Sequence, residues 1–111
     1  MAIVNAQLQI TYTDLLVVPA NKSYAITNIL VCNTSVSTAA SFKMYLVPDG
    51  DSVSDNVNMV VNSLELPPGE TFTFDSERIV LEAGDKIVFD AAPDSGSGAT
   101  TLAATVSYLE V

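Results

Sequence analysis

Leu66-Pro-Pro-Gly-Glu-Thr-Phe-Thr-Phe-Asp-Ser-Glu-Arg-Ile-Val-Leu-Glu-Ala-Gly-Asp-Lys-Ile-Val-Phe-Asp90 contains three short strands and the turns that join them. Phe72 and Phe74 alternate with Thr71 and Thr73, which places both rings on one face of a strand. Pro68-Gly69 ahead of them suits a type II turn, with proline presetting φ at the second position and glycine accepting a positive φ at the third. Ile79-Val80-Leu81 is too short for a helix and is bounded by turn residues, so it reads as a strand. Ala83-Gly84-Asp85 then reverses the chain into Ile87-Val88-Phe89, a hairpin signal centred on Gly84. Pro68, Gly69, Gly84 and Asp85 are therefore the expected structural turns. A turn about every eight to twelve residues is the rhythm of an antiparallel sandwich or barrel.

The same grammar extends in both directions. Gln7-Leu-Gln-Ile-Thr-Tyr12 alternates, with Leu8, Ile10 and Tyr12 on one side, and residues 1–6 before it have no period and read as an arm. Asp14 leads into Leu15-Leu-Val-Val18, and Pro19-Ala-Asn-Lys22 turns the chain. Tyr24 to Asn33 is the strongest strand and is expected to be central. Ser41 to Val47 sets Phe42, Met44 and Leu46 against Lys43 and Tyr45. An acidic loop opens at Pro48-Asp-Gly50, and Asn58 to Leu66 resumes as a strand. Ala91 to Gly98 reads as a flexible loop, and Thr100 to Leu109 alternates with Leu102, Ala104, Val106 and Tyr108 together. No capped segment of helical period occurs. The expectation is an all-β chain: an antiparallel β-sandwich, jelly-roll-like, of about eight strands, with an arm over 1–6 and one domain over 7–111.

The 111 residues suffice for one domain. Hydrophobic residues make up 49%, yet the longest apolar runs, Leu15 to Val18 and Ile29 to Cys32, are far too short to span a bilayer, and no signal-peptide pattern opens the chain. Thirteen acidic residues against four basic ones give a net charge of −9, which argues against nucleic acid as a partner, since that binding runs on Lys and Arg. The charge reads as a solubilising one. The one cysteine, Cys32, rules out a disulfide within a monomer and reads as an inert buried thiol. Leu15–Val18, Ile29–Cys32, Met59–Val61, Ile79–Leu81 and Ile87–Phe89 are apolar on both faces, whereas an isolated sandwich leaves one face of each strand wet. Loops, sister subunits or another protein must cover that surface, and sister subunits are the simplest of the three.

Chemistry is sparse. The absence of histidine removes Ser-His-Asp and Cys-His arrangements and histidine-built metal sites. The pairs Asp49/Asp51 and Asp75/Glu77 lie in turn contexts, where Asp caps its own backbone. Asp49, Asp51 and Asp55 have calcium-like spacing but lack the closing glutamate, so they read as a solvated loop. No glycine-rich loop opens a helix, and tryptophan is absent. Tyr12 and Tyr108 fall on inner faces, leaving only Tyr24 and Tyr45 for a sugar-stacking surface. No catalytic residue, cofactor or metal site is expected, and the chain reads as a non-enzyme.

The order of motifs adds a resemblance. Leu16-Val-Val-Pro-Ala-Asn-Lys22, Ala25-Ile-Thr-Asn-Ile-Leu-Val-Cys-Asn33, Val47-Pro-Asp-Gly50, Leu66-Pro-Pro-Gly-Glu70 and Leu81-Glu-Ala-Gly-Asp-Lys-Ile87 together resemble small structural proteins of tailed bacteriophages, notably those of cyanobacteria and other marine bacteria. The resemblance spans about residues 12–109. It implies a virion component: a capsid decoration (cement) protein, typically a β-sandwich homotrimer on the shell surface, made in the host cytoplasm and bound to the major capsid protein. It supplies no catalytic residues. Without an appended fibre repeat, a cement protein is expected over a tail fibre, with Ala2, Ile3, Val4, Asn5, Ala6 and Gln7 as the candidate capsid-contact arm. A tail or head-surface module touching a host glycan is the alternative. Neither nucleic acid nor membrane is expected as a partner.

Overall fold

In the computed structural model, which describes residues 2–74, 79–91 and 101–111, nine strands form two antiparallel sheets. The strands are β1 (Ala2–Gln7), β2 (Thr13–Val17), β3 (Tyr24–Asn33), β4 (Ala40–Val47), β5 (Met59–Leu66), β6 (Thr71–Phe74), β7 (Ile79–Leu81), β8 (Lys86–Ala91) and β9 (Leu102–Glu110). There is no helix among the described residues. One sheet runs β1-β9-β3-β6, with β7 also paired to β3; the other runs β2-β8-β4-β5. β6 and β7 occupy two stretches of the same side of β3, so together they fill one strand position. The sandwich thus has eight strand positions in the double Greek-key winding of a jelly roll. The described part of the 91–98 loop ends at Ala91, in β8; the rest of it, with Asp75 and Glu77, lies outside the described residues.

The alternating strands close on one core. Ile29, Val31, Phe42, Met44, Ile87, Phe89, Leu102, Ala104 and Val106 are all essentially inaccessible. Leu81 is buried with them. Phe72, Phe74 and Ile79 are only half-buried against the core, because β6 and β7 are short edge strands with a neighbour on one side.

Three local expectations are corrected. Residues 2–7 are not an arm: they form β1, paired in unbroken register with β9 from Ala2↔Tyr108 to Gln7↔Ala103. Its inward set is Val4, Ala6 and Leu8, an alternation of small and β-branched residues that begins earlier than Gln7. Gln7–Tyr12 is accordingly not a strand after its first residue. Leu8 is fully buried, but Ile10 and Tyr12 are 51% and 55% exposed where the chain crosses between sheets. Gly84 does not centre a hairpin, since β7 belongs to one sheet and β8 to the other. The turn is a corner between layers.

Candidate interaction surfaces

Four turns share one geometry, an amide bonded back three residues with a positive φ at the third position. They are Pro19–Lys22, Pro48–Asp51, Pro67–Glu70 and Glu82–Asp85, with φ of 64° at Asn21, 85° at Gly50, 76° at Gly69 and 86° at Gly84. Pro68 stands second in its turn and Gly69 third, as a type II turn requires. Asp85 holds its corner together. One carboxylate oxygen accepts from the Glu82 N–H and the other from the Asp49 N–H, both at 2.9 Å, while the corner backbone bonds Val18 at the end of β2. The Asp49 side chain lies directly over Gly84, leaving no space for a Cβ. All four predicted turn residues therefore serve structure.

The opposite end is tied by Asn33, the buried last residue of β3. Its Nδ2 donates to Thr38 O at 2.9 Å and Leu66 O at 3.0 Å. Its Oδ1 accepts from the Ser35 N–H at 3.0 Å and the Thr101 hydroxyl at 2.7 Å. One side chain so joins β3, β5, the 34–39 loop and the approach to β9. The sequence signal was a polar residue closing an apolar run.

The two outer faces differ. On the four-stranded sheet, Tyr45, Val47 and Val88 point away from the main core yet are buried, because Val53 and Met59 pack over them. The Tyr45 hydroxyl donates to Asp55 at 2.6 Å, and Tyr12 packs edge-on against its ring. Burial first, then the bond to Asp55 and its charge, hold the Tyr45 hydroxyl well above the ordinary phenol range. The acidic loop is thus a lid over the apolar outer side of β4 and β8. Its carboxylates serve separate places, Asp49 at the Gly84 corner and Asp55 on Tyr45, and no group of metal-ligating side chains gathers among the described residues. Tyr24 and Tyr45, the tyrosines left for sugar stacking, are both buried. Next to the lid, Ile10, Ser41, Lys43, Ser63 and Asp90 line an open depression of about 270 Å³. Asp90 is raised above the usual carboxylate range, chiefly by burial, with Asp55 adding to the effect and Lys43 opposing it.

Among the described residues, no loop covers the five-stranded sheet in this way. Its register aligns outward residues in rows: Asn5, Thr105, Leu30 and Thr73 across the middle, with Gln7, Ala103, Cys32 and Thr71 beside them. Val80 is 58% exposed and Ile3 66%. Cys32, expected inside, lies on this outer face and is half-buried. The strands of this sheet carry one charged residue, Glu110 at the end of β9, which Lys22 pairs at 3.0 Å. The strands of the other sheet carry Asp14, Lys43, Glu65, Lys86 and Asp90. Beside a bulge between Ile26 and Asn28, Asn28 Oδ1 is buried with no hydrogen-bond partner. At ordinary strand spacing the neutral face measures about 19 Å by 30 Å.

No helix among the described residues is long and apolar enough to cross a membrane. No family model matches the chain, and no curated protein sequence matches it.

Proposed function

We propose that this protein is a structural component of a tailed-bacteriophage virion, a decoration protein that sits on the head shell as a homotrimer and performs no catalysis. The observation that carries the reading is the outer face of the five-stranded sheet, whose strands carry no charge but Glu110 and over which no described loop folds, in a chain of net charge −9. Copies so charged repel one another through any face bearing carboxylates, so a neutral face is where they can meet. The exposed Ile3 and Val80 and the small uncharged side chains around them give that face a surface on which copies can pack. The order of turn motifs supports the phage assignment. The third face-covering option, loops, is already used on the other sheet, where the 48–58 segment does that work.

A second reading is a head-surface or tail module that binds a host glycan. The depression lined by Ser41, Lys43, Ser63 and Asp90 favours it, offering hydroxyl, ammonium and carboxyl groups around the apolar Ile10.

Copy number in purified virions separates the two. Hundreds of copies per particle are expected for a shell protein, and a handful would overturn that placement in favour of the tail. Light scattering over a salt series tests the trimer. Association should hold or strengthen as salt rises from low values, because screening at about 0.1 M shortens the Debye length to about 10 Å and weakens the mutual repulsion. A monomer at every concentration and ionic strength would remove the trimer.

A further inference from the structure

We propose that the depression on the outer face of the four-stranded sheet is a saccharide site in which Lys43 and Asp90 grip neighbouring hydroxyls of one neutral sugar ring, an inference that deepens the glycan-binding reading above and rests on it. The site starts from a pair of charges that does not close on itself. Lys43 and Asp90 are register partners on β4 and β8, and cross-strand neighbours of opposite charge ordinarily engage each other directly. Lys22 pairs with Glu110 at 3.0 Å and Lys86 with Asp14 at 3.9 Å. Lys43 makes no such contact, and among the described residues neither it nor Asp90 has a hydrogen-bond partner. Both are half-buried, so each keeps donor or acceptor capacity where water only partly meets it.

The elements on either side bend around this pair. Where β4 meets β5 the register slips between Phe42 and Met44, so Asn62 and Ser63 together oppose Lys43. Ser63 takes a φ of 52° there, a left-handed conformation that costs a serine free energy. Bulges of this kind re-aim side chains beside binding sites. On the side of β2, Thr13 pairs with Phe89 and the Ala91 N–H donates to Gln9 O at 3.1 Å, so residues 10–12 arch past Asp90. That arch leaves Ile10 and Tyr12 exposed. Ile10 lines the depression, and Tyr12 packs edge-on against Tyr45, which follows Lys43 on the same face of β4.

The chemistry of the lining selects the ligand. A carboxylate only accepts, an ammonium only donates, and a sugar hydroxyl does both. Two neighbouring hydroxyls can therefore donate to Asp90 and accept from Lys43, while Ser41 and Ser63 serve in either role. Ile10 and Tyr12 offer apolar surface to the C–H face of a pyranose. A volume of about 270 Å³ lies at the small end of ligand pockets, room for one ring and not for an oligosaccharide. An acidic sugar is disfavoured, because Asp55 already acts on Asp90 and the chain carries a net charge of −9.

The test is an NMR titration of the isotope-labelled full chain with the methyl glycosides of glucose, galactose, mannose and rhamnose. At least one should bind with a dissociation constant of about 1–10 mM, as a ligand of so few atoms does, and shift the amides of Ser41, Lys43, Ser63 and Asp90. Lys43→Met and Asp90→Ala should each weaken that binding at least about tenfold at an unchanged melting temperature. Val80→Thr, on the other sheet, should leave it as it is. Shifts confined to another surface, or undiminished binding by both variants, would overturn this site while leaving the glycan reading intact. Tighter binding of the methyl glycoside of N-acetylneuraminic acid would overturn the neutral class. An immobilised array of bacterial surface polysaccharides separates the remaining outcomes. Binding to the array with silence from every glycoside would overturn the single-ring site, and silence from both would remove the glycan reading and this site with it.

Discussion

Replacing Asn33 by alanine should cost about 4 kcal/mol, a large share of the 5–15 kcal/mol that holds an ordinary domain folded. The side chain is inaccessible and makes four hydrogen bonds. The bond to Leu66 O is fully buried, and its loss strands a carbonyl away from water at a cost of about 1–3 kcal/mol. The three half-buried bonds add about 0.5–1 kcal/mol each, since water reaches part of what they leave behind. Asn33→Asp gives the sharper sign. It keeps both acceptors, loses both donors and sets a carboxylate against the Thr38 and Leu66 carbonyls. At neutral pH it should therefore be less stable than Asn33→Ala. Its carboxyl would be held above the ordinary range, so its stability should recover as pH falls toward about 4, where the unfolded carboxyl also protonates. Urea unfolding followed by far-UV circular dichroism and tyrosine emission measures all three proteins. A loss below about 1 kcal/mol for the alanine variant would refute the view of Asn33 as the tie at this end of the sandwich. An aspartate variant as stable as alanine at neutral pH would do the same.

Phe89→Ala should cost about 3–5 kcal/mol, whereas Phe74→Ala on the edge strand β6 should cost less than half as much; equal losses in denaturant titrations would contradict the half-burial of β6. Gly84→Ala should destabilise more than Gly50→Ala, because both meet a left-handed φ but only the first also displaces the Asp49 side chain. Equal melting temperatures would dismiss that contact. The raised Tyr45 hydroxyl favours the folded state fully below the unfolded phenol value near 10, and that contribution is lost as pH rises above it. Wild-type stability should thus fall more steeply with pH above about 10 than that of Tyr45→Phe, and parallel curves would refute the buried Tyr45–Asp55 bond.

The sequence alone determined what depends on near neighbours. The period of two in Leu102–Leu109 and the apolar run of Tyr24–Asn33 mark strands whichever partners they find, and β3 emerged with the bounds read for it. Gly69 and Gly84 declared their turns because only a residue without a Cβ adopts those φ angles at little cost. The excess of apolar residues on both strand faces announced that something must cover the outer surfaces. Tertiary structure alone decided which sheet each strand joins, since that depends on pairings between remote residues such as Val4 and Val106. A corner between layers and a hairpin use the same Ala-Gly-Asp chemistry, so the turn at Gly84 gave no sign that β7 and β8 part company. β1 was hidden for a related reason: Val4 and Ala6 are too small to advertise a core face until β9 lies beside them. The cover of Tyr45 and Val88 by the acidic loop is likewise non-local. Burial is a property of what the folded chain brings near, and a local pattern states only which side needs covering.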